Sequence, residues 1–120
     1  MDDDRTTLLS EGPLAGSWRI LATLGETPTP RVNATLTLSE NGEHSYLFGG
    51  FDSEKGKCLS DLWVLDLPSA TWRQVEAPDD DILPPARYGH TAAILGSKLV
   101  IFGLYSCDCT CVIVYCRWPE

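Results

Sequence analysis

Apolar residues along this chain gather in short runs separated by glycine, proline and polar residues, and the runs come in a fixed order. Thr35-Leu36-Thr37-Leu38 is followed by Asn41-Gly42 and then by Tyr46-Leu47-Phe48. Thr91-Ala92-Ala93-Ile94-Leu95 is followed by Gly96-Ser97 and then by Leu99-Val100-Ile101-Phe102. Asn-Gly and Gly-Ser supply the positive φ angles that tight hairpin turns demand, so each pair of runs predicts two antiparallel strands. The second set is continuously apolar, as a strand is when both of its faces are covered by neighbouring sheets. Leu62-Trp63-Val64-Leu65-Asp66-Leu67 predicts a third strand, Pro68-Ser69-Ala70-Thr71 a turn, and Trp72-Arg73-Gln74-Val75 a fourth strand. No segment sustains a 3.6-residue apolar period, so the chain reads as all-β.

The order repeats. Trp18-Arg19 returns as Trp72-Arg73 and Phe48-Gly49 as Phe102-Gly103, both 54 residues on. Pro30-Arg31 matches Ala86-Arg87 at a spacing of 56, and the two-residue excess is taken back inside the next hairpin. A period near fifty is the length of one propeller blade.

With 120 residues, 43% of them apolar and 22% charged, the chain has the size and balance of one folded domain rather than of a disordered or membrane chain. Its net charge of −8 repels phosphate backbones and anionic bilayers, so neither nucleic acid nor a membrane is expected as a partner. The acidic start Met1-Asp2-Asp3-Asp4-Arg5 leads into no apolar run of the length a secretory signal needs, and the expected location is the cytoplasm, with the nucleus second. Five cysteines without such a signal are expected to be reduced thiols.

Phe48-Gly49-Gly50, then Asp61-Leu62-Trp63-Val64-Leu65-Asp66-Leu67, then Trp72, then Pro85-Ala86-Arg87-Tyr88-Gly89-His90 together resemble the kelch repeat over residues 18–103. The resemblance implies propeller blades, each a four-stranded antiparallel sheet, set radially about a channel. Arg31 to Leu38 is then the innermost strand, Ser45 to Gly50 the second, Leu62 to Leu67 the third and Trp72 to Glu76 the outermost strand of one blade spanning 31–76. A second blade starts at Arg87. Trp18 to Leu21 becomes an outermost strand of another blade, with Trp18 and Trp72 packing between blades. Residues 1–17 are an acidic segment expected to be flexible, and residues 104–120 a divergent cysteine-rich tail, either a degenerate third strand or a foreign sequence. A closed ring takes about four to eight blades, so the expectation is an incomplete propeller with its remaining blades missing and two apolar faces open.

The loops after the second and fourth strands, Phe51 to Ser60 and Ala77 to Pro85, lie on one face of a blade, with Leu24 to Pro30 equivalent to the latter. In kelch proteins loops of this face commonly contact partner proteins. The resemblance therefore implies a protein-protein interaction module, not an enzyme, with Asp52, Glu54, Lys55, Lys57, Asp79, Asp80 and Asp81 as contact residues. His90, beside Tyr88 and Arg87, is the one acid-base candidate, yet the first copy has Ala34 and Val32 where His90 and Tyr88 stand. Its expected role is a hydrogen bond at the start of an inner strand. No cofactor is expected, because the glycines Gly25, Gly49, Gly50 and Gly103 precede no helix that would make a phosphate cradle. Cys107, Cys109, Cys111 and Cys116 carry thiolate chemistry, but a Cys-x-Cys-x-Cys run lacks the two-to-four-residue gaps of structural zinc sites, so no metal is expected. Two alternatives stay open: a truncated product without activity of its own, and a cysteine-rich metal-binding tail on a kelch fragment.

Overall fold

A computed structural model of the chain describes residues 16–76, 84–103, 105–106 and 112–117. The acidic segment up to residue 15, the Asp79 to Asp81 run and Cys107, Cys109 and Cys111 lie outside the described residues. No helix forms among those described. In chain order the strands are β1 (Thr35–Leu38), β2 (His44–Phe48), β3 (Phe51–Asp52), β4 (Lys57–Cys58), β5 (Leu62–Asp66), β6 (Thr71–Val75), β7 (Arg87–Tyr88), β8 (Thr91–Leu95), β9 (Lys98–Gly103), β10 (Tyr105–Ser106) and β11 (Val112–Arg117).

The first blade is a four-stranded antiparallel sheet in the order β1-β2-β5-β6, the sequential meander expected of a propeller blade. Its strands fall within a few residues of the predicted ones. The first hairpin uses a five-residue loop in which Gly42 alone takes a positive φ of 75°, and its amide donates to the Ser39 carbonyl at 3.0 Å. The second hairpin, Leu95↔Lys98, closes on two residues with Gly96 at φ 61°, the short loop that favours mirror-image turns.

The second blade contributes β8, β9 and β11 in the order β11-β9-β8. Phe48 pairs with Leu62 in the first blade, and Phe102 pairs with Ile113 in the second. Residues 112–117 thus take the place of a third strand. The tail loops back sooner than in the first copy, and the repeat continues through it. The bridge Val32↔Phe51 also has its counterpart, Tyr88↔Tyr105.

Alternation along each strand sends every second residue to one face. Phe48, Tyr46, Leu62 and Val64 point one way and meet Leu99 and Ile101 of the second blade, with Ala92, Ile94 and Val75 packed at the margin. Phe48, Leu99 and Ile101 are wholly buried. Burying a side chain of this size contributes about 1.5–3 kcal/mol, so this layer between the blades is the principal core. The reverse face of β1 and the outward face of β8 and β9 leave Leu36, Leu38, Leu95 and Phe102 exposed.

Two expectations change. Trp18 to Leu21 forms no strand, and Trp18 and Ile20 are fully exposed rather than packed between blades. A fourth strand needs a third strand beside it, and the described residues place none there. Instead Leu24 runs parallel to the edge of β6, its amide donating to the Ala70 carbonyl at 2.8 Å and its carbonyl accepting from the Trp72 amide at 2.9 Å. Trp72, on β6, is half-buried as a blade residue should be. Likewise the stretch Phe51 to Ser60, read as a loop, holds the small hairpin β3-β4.

Candidate functional site

The chain leaves β2 through Gly49 and Gly50, at φ 67° and 106°, where a side chain would be strained. A Cβ on Gly49 would stand 2.6 Å from the Arg87 carbonyl oxygen and 2.9 Å from His90 Cε1. The double glycine therefore lets the second blade's backbone close onto the first. Gly50 N donates to Arg87 O at 2.9 Å, Arg87 N to Leu59 O at 3.1 Å, and Gly89 N to Asn33 O at 2.9 Å.

From this seam the β3-β4 hairpin projects. Asp52 is buried, and its Oδ1 accepts from the amides of Glu54 and Lys55, each at 3.0 Å, while its carbonyl accepts from Gly56 at 2.7 Å. Asp52 thus shapes the loop from within, its carboxylate turned inward to cap the turn. Glu54, Lys55 and Lys57 are exposed at the tip. The base is fixed by Phe51, whose ring centroid lies 5.2 Å from that of Tyr88 in the second blade.

Beneath the seam lies a charged cluster that sequence reading missed. The side chain of Arg31 is largely covered, and its guanidinium grips Asp61 with two bonds, Nη1 to Oδ1 at 2.6 Å and Nη2 to Oδ2 at 3.0 Å. Nη1 also donates to the Gly49 carbonyl and Nε to the Thr29 carbonyl. Trp63 Nε1 donates to Asp61 Oδ2 at 2.8 Å. Burial alone would push the Asp61 carboxyl up, but the bonds from Arg31 and Trp63 outweigh it and hold the group below its ordinary value.

The second blade keeps the arginine, and at the position that matches Asp61 it carries Val112. Arg87 is almost wholly buried and its Nε donates to the Pro85 carbonyl at 3.1 Å, as Arg31 Nε does to Thr29. Its Nη1, however, is buried without a partner. The register gives the reason: Asp61 stands opposite Gly49, and Val112 stands opposite the equivalent Gly103. Val112→Asp is expected to supply the missing carboxylate and stabilise the chain by about 1.5 kcal/mol, the low end for a bond to a charged group. A higher urea midpoint at unchanged slope would show it, and a lower midpoint would contradict the assignment.

His90 is buried between the blades, with Nε2 2.8 Å from Thr35 Oγ1 and its ring edge-on to Phe48 at 5.4 Å. Burial first, then the charge of Arg87, lowers its pKa below the ordinary value, although the neighbouring Phe48 backbone favours the charged ring. Nδ1 makes no hydrogen bond. The ring is spent on joining two strands, the role expected of it.

A sequence model of the KLHDC2/KLHL20/DRC7 Kelch-repeats domain matches residues 12–116. The chain belongs to the kelch-repeat family. A kelch repeat-containing protein of Arthroderma benhamiae is 35% identical over 113 residues, covering 84% of this chain and 17% of that protein. Human host cell factor 2 is 35% identical over 99 residues, covering 79% of this chain and 12% of its own. A probable serine/threonine-protein kinase of Dictyostelium discoideum is 38% identical over 101 residues, 84% of this chain and 7% of the kinase. The chain therefore spans between 7% and 17% of these three relatives. Among the described residues the all-β kelch blades form no closed ring, as in an incomplete propeller. Kelch domains are protein-interaction modules, and the seam residues Gly49, Gly50, Arg87 and His90 belong to the kelch framework that carries the loops.

Of the predicted contact residues, the structure brings Glu54, Lys55 and Lys57 together on one hairpin. Cys116 lies on β11, paired through the backbone with Leu99. Among the described residues no group of three or more metal-binding side chains assembles.

Proposed function

We propose that this kelch fragment binds a protein partner through the rim that carries the β3-β4 hairpin. The observation behind this reading is the hairpin's preorganisation. Asp52 caps it internally, Phe51 is seated on Tyr88, and the tip residues Glu54, Lys55 and Lys57 stand clear of the blade. A loop already held in shape loses little entropy on binding, which is what a recognition surface needs. Mixed charge at the tip fits a partner surface of complementary polar residues rather than an apolar groove. Binding rather than catalysis is favoured because His90, the acid-base candidate, is committed to Thr35 and to the blade seam.

The test is a charge-reversed tip, Glu54→Lys with Lys55→Glu and Lys57→Glu, in the full chain. All three side chains are exposed, so the melting temperature is expected to stay within a few degrees. Affinity for partners captured by the wild-type chain is expected to fall at least tenfold. Unchanged affinity for every specific partner would remove the hairpin from the binding surface.

A further inference from the structure

The repeat places an arginine at the same point of each blade, and the two guanidinium groups end in different surroundings. In the first blade Arg31 Nε donates to the Thr29 carbonyl, and its Nη atoms close on the Asp61 carboxylate at 2.6 and 3.0 Å. In the second, Arg87 Nε donates to the Pro85 carbonyl, so the side chain sets out along the same path. Its Nη1 is then buried with no hydrogen-bond partner, in a residue that is only 1% exposed. A guanidinium does not lose its proton in a protein, so the charge stays inside the fold. A buried charge with nothing to balance it is strongly destabilising.

A second buried polar atom lies in the same seam. His90 is 6% exposed, its Nε2 is taken by Thr35 Oγ1 at 2.8 Å, and its Nδ1 has no hydrogen-bond partner. The two residues come together at Gly49, where an added Cβ would stand 2.6 Å from the Arg87 carbonyl oxygen and 2.9 Å from His90 Cε1, the ring carbon bonded to Nδ1. The backbone of Arg87 also ties down both ends of the β3-β4 hairpin, accepting from Gly50 N and donating to Leu59 O.

The group that balances Arg87 has to accept a hydrogen bond, carry one negative charge and be small. Asp61 meets these terms for Arg31 from within the chain. A water molecule would satisfy the hydrogen bond and leave the charge. A divalent anion would bring a surplus charge and a larger desolvation cost. The carboxylate of another polypeptide has no route to a side chain this deeply covered unless the blades part. We propose that Arg87 holds one small monovalent anion, of the size of chloride, in the seam between the blades. The ion does for the second blade what the Asp61 carboxylate does for the first, and it strengthens the point from which the β3-β4 hairpin is held.

Urea unfolding of the full chain tests this, with chloride exchanged for gluconate, a much larger monoanion, at constant ionic strength. The unfolding equilibrium constant of the wild type is expected to fall about tenfold for each tenfold rise in chloride above the dissociation constant, as uptake of one ion by the folded chain requires. Val112→Asp places a carboxylate at the position that matches Asp61, so its midpoint is expected to ignore chloride and its gain over the wild type to be largest in gluconate. Arg87→Met is expected to abolish the response as well. The His90 ring, followed by its NMR titration, gives a reading that does not depend on stability. The charge of Arg87 helps to hold the His90 pKa low, so chloride is expected to raise it toward the ordinary value in the wild type and to leave it unmoved in Arg87→Met. An unfolding constant that is the same in chloride and in gluconate would overturn the proposal. So would a His90 titration indifferent to chloride, or a chloride response kept in full by either variant, which would mark an adventitious ion only.

Discussion

Asp61→Ala is expected to cost the folded chain about 3 kcal/mol, the largest loss of any single side chain outside the apolar core. Removing one member of a buried ion pair leaves the other charge without compensation, typically at 3–5 kcal/mol. We take the lower end because Asp61 keeps 24% of its side-chain surface exposed, whereas that of Arg31 keeps 4%. Trp63 Nε1 loses its acceptor in the same step. The double replacement Arg31→Met with Asp61→Leu is expected to recover much of the loss, because no buried charge then remains. Acid unfolding gives an independent reading. The folded Asp61 pKa lies below its ordinary 3.8, so the stabilisation is complete above about pH 4 and disappears as the pH falls through the lower folded value. Urea midpoints of Asp61→Ala are therefore expected to fall less steeply than those of the wild type below that pH. Asp66, held low chiefly by its bond from Ser69, remains in both proteins and leaves each a residual slope.

Gly103→Ala is expected to be nearly as damaging, at between about 2 and 3 kcal/mol. A Cβ there would lie 2.1 Å from His90 Cβ and 2.4 Å from His90 Cα, so β9 and the start of β8 cannot both keep their places. No rotamer change relieves a clash with a Cα. Gly42→Ala is the control: its φ is 75°, but nothing lies within 4 Å, so only the backbone strain of about 1 kcal/mol is expected. Thermal unfolding of the two variants side by side separates close packing from conformational strain. Equal losses would show that the Gly103 contact is not tight.

The strands of the first blade were legible because each carries its own apolar run, and the repeat located the second blade from two landmarks. Their order in the sheet followed from hairpin turns at Gly42 and Gly96. The β3-β4 hairpin escaped notice because strands of two residues have no period, and its shape is set by one buried carboxylate, Asp52, and one ring contact across the seam. Trp18 to Leu21 is exposed and takes no strand conformation for the opposite reason. Its local sequence is that of a strand, but a strand exists only beside a partner, and local sequence does not supply one. The Arg31–Asp61 pair joins residues thirty positions apart and has no local signature. Its signal was present all the same: Arg31 and Arg87 match across the repeat, and asking which acid each arginine faces would have exposed both Asp61 and the missing counterpart at Val112. The sequence of the tail fits a degenerate third strand and a foreign segment equally. The apolar run Val112-Ile113-Val114-Tyr115 then completed a third strand by closing its loop three residues earlier than the first copy does.

Two copies of one blade pack face to face along a single seam. Nuclear Overhauser contacts in the isotopically labelled chain test it directly. The structure requires cross-peaks between the rings of Phe48 and His90, whose centroids are 5.4 Å apart, and between those of Phe51 and Tyr88, at 5.2 Å. Cross-peaks confined within residues 35–75 and within 87–103, with none joining the two groups, would contradict it.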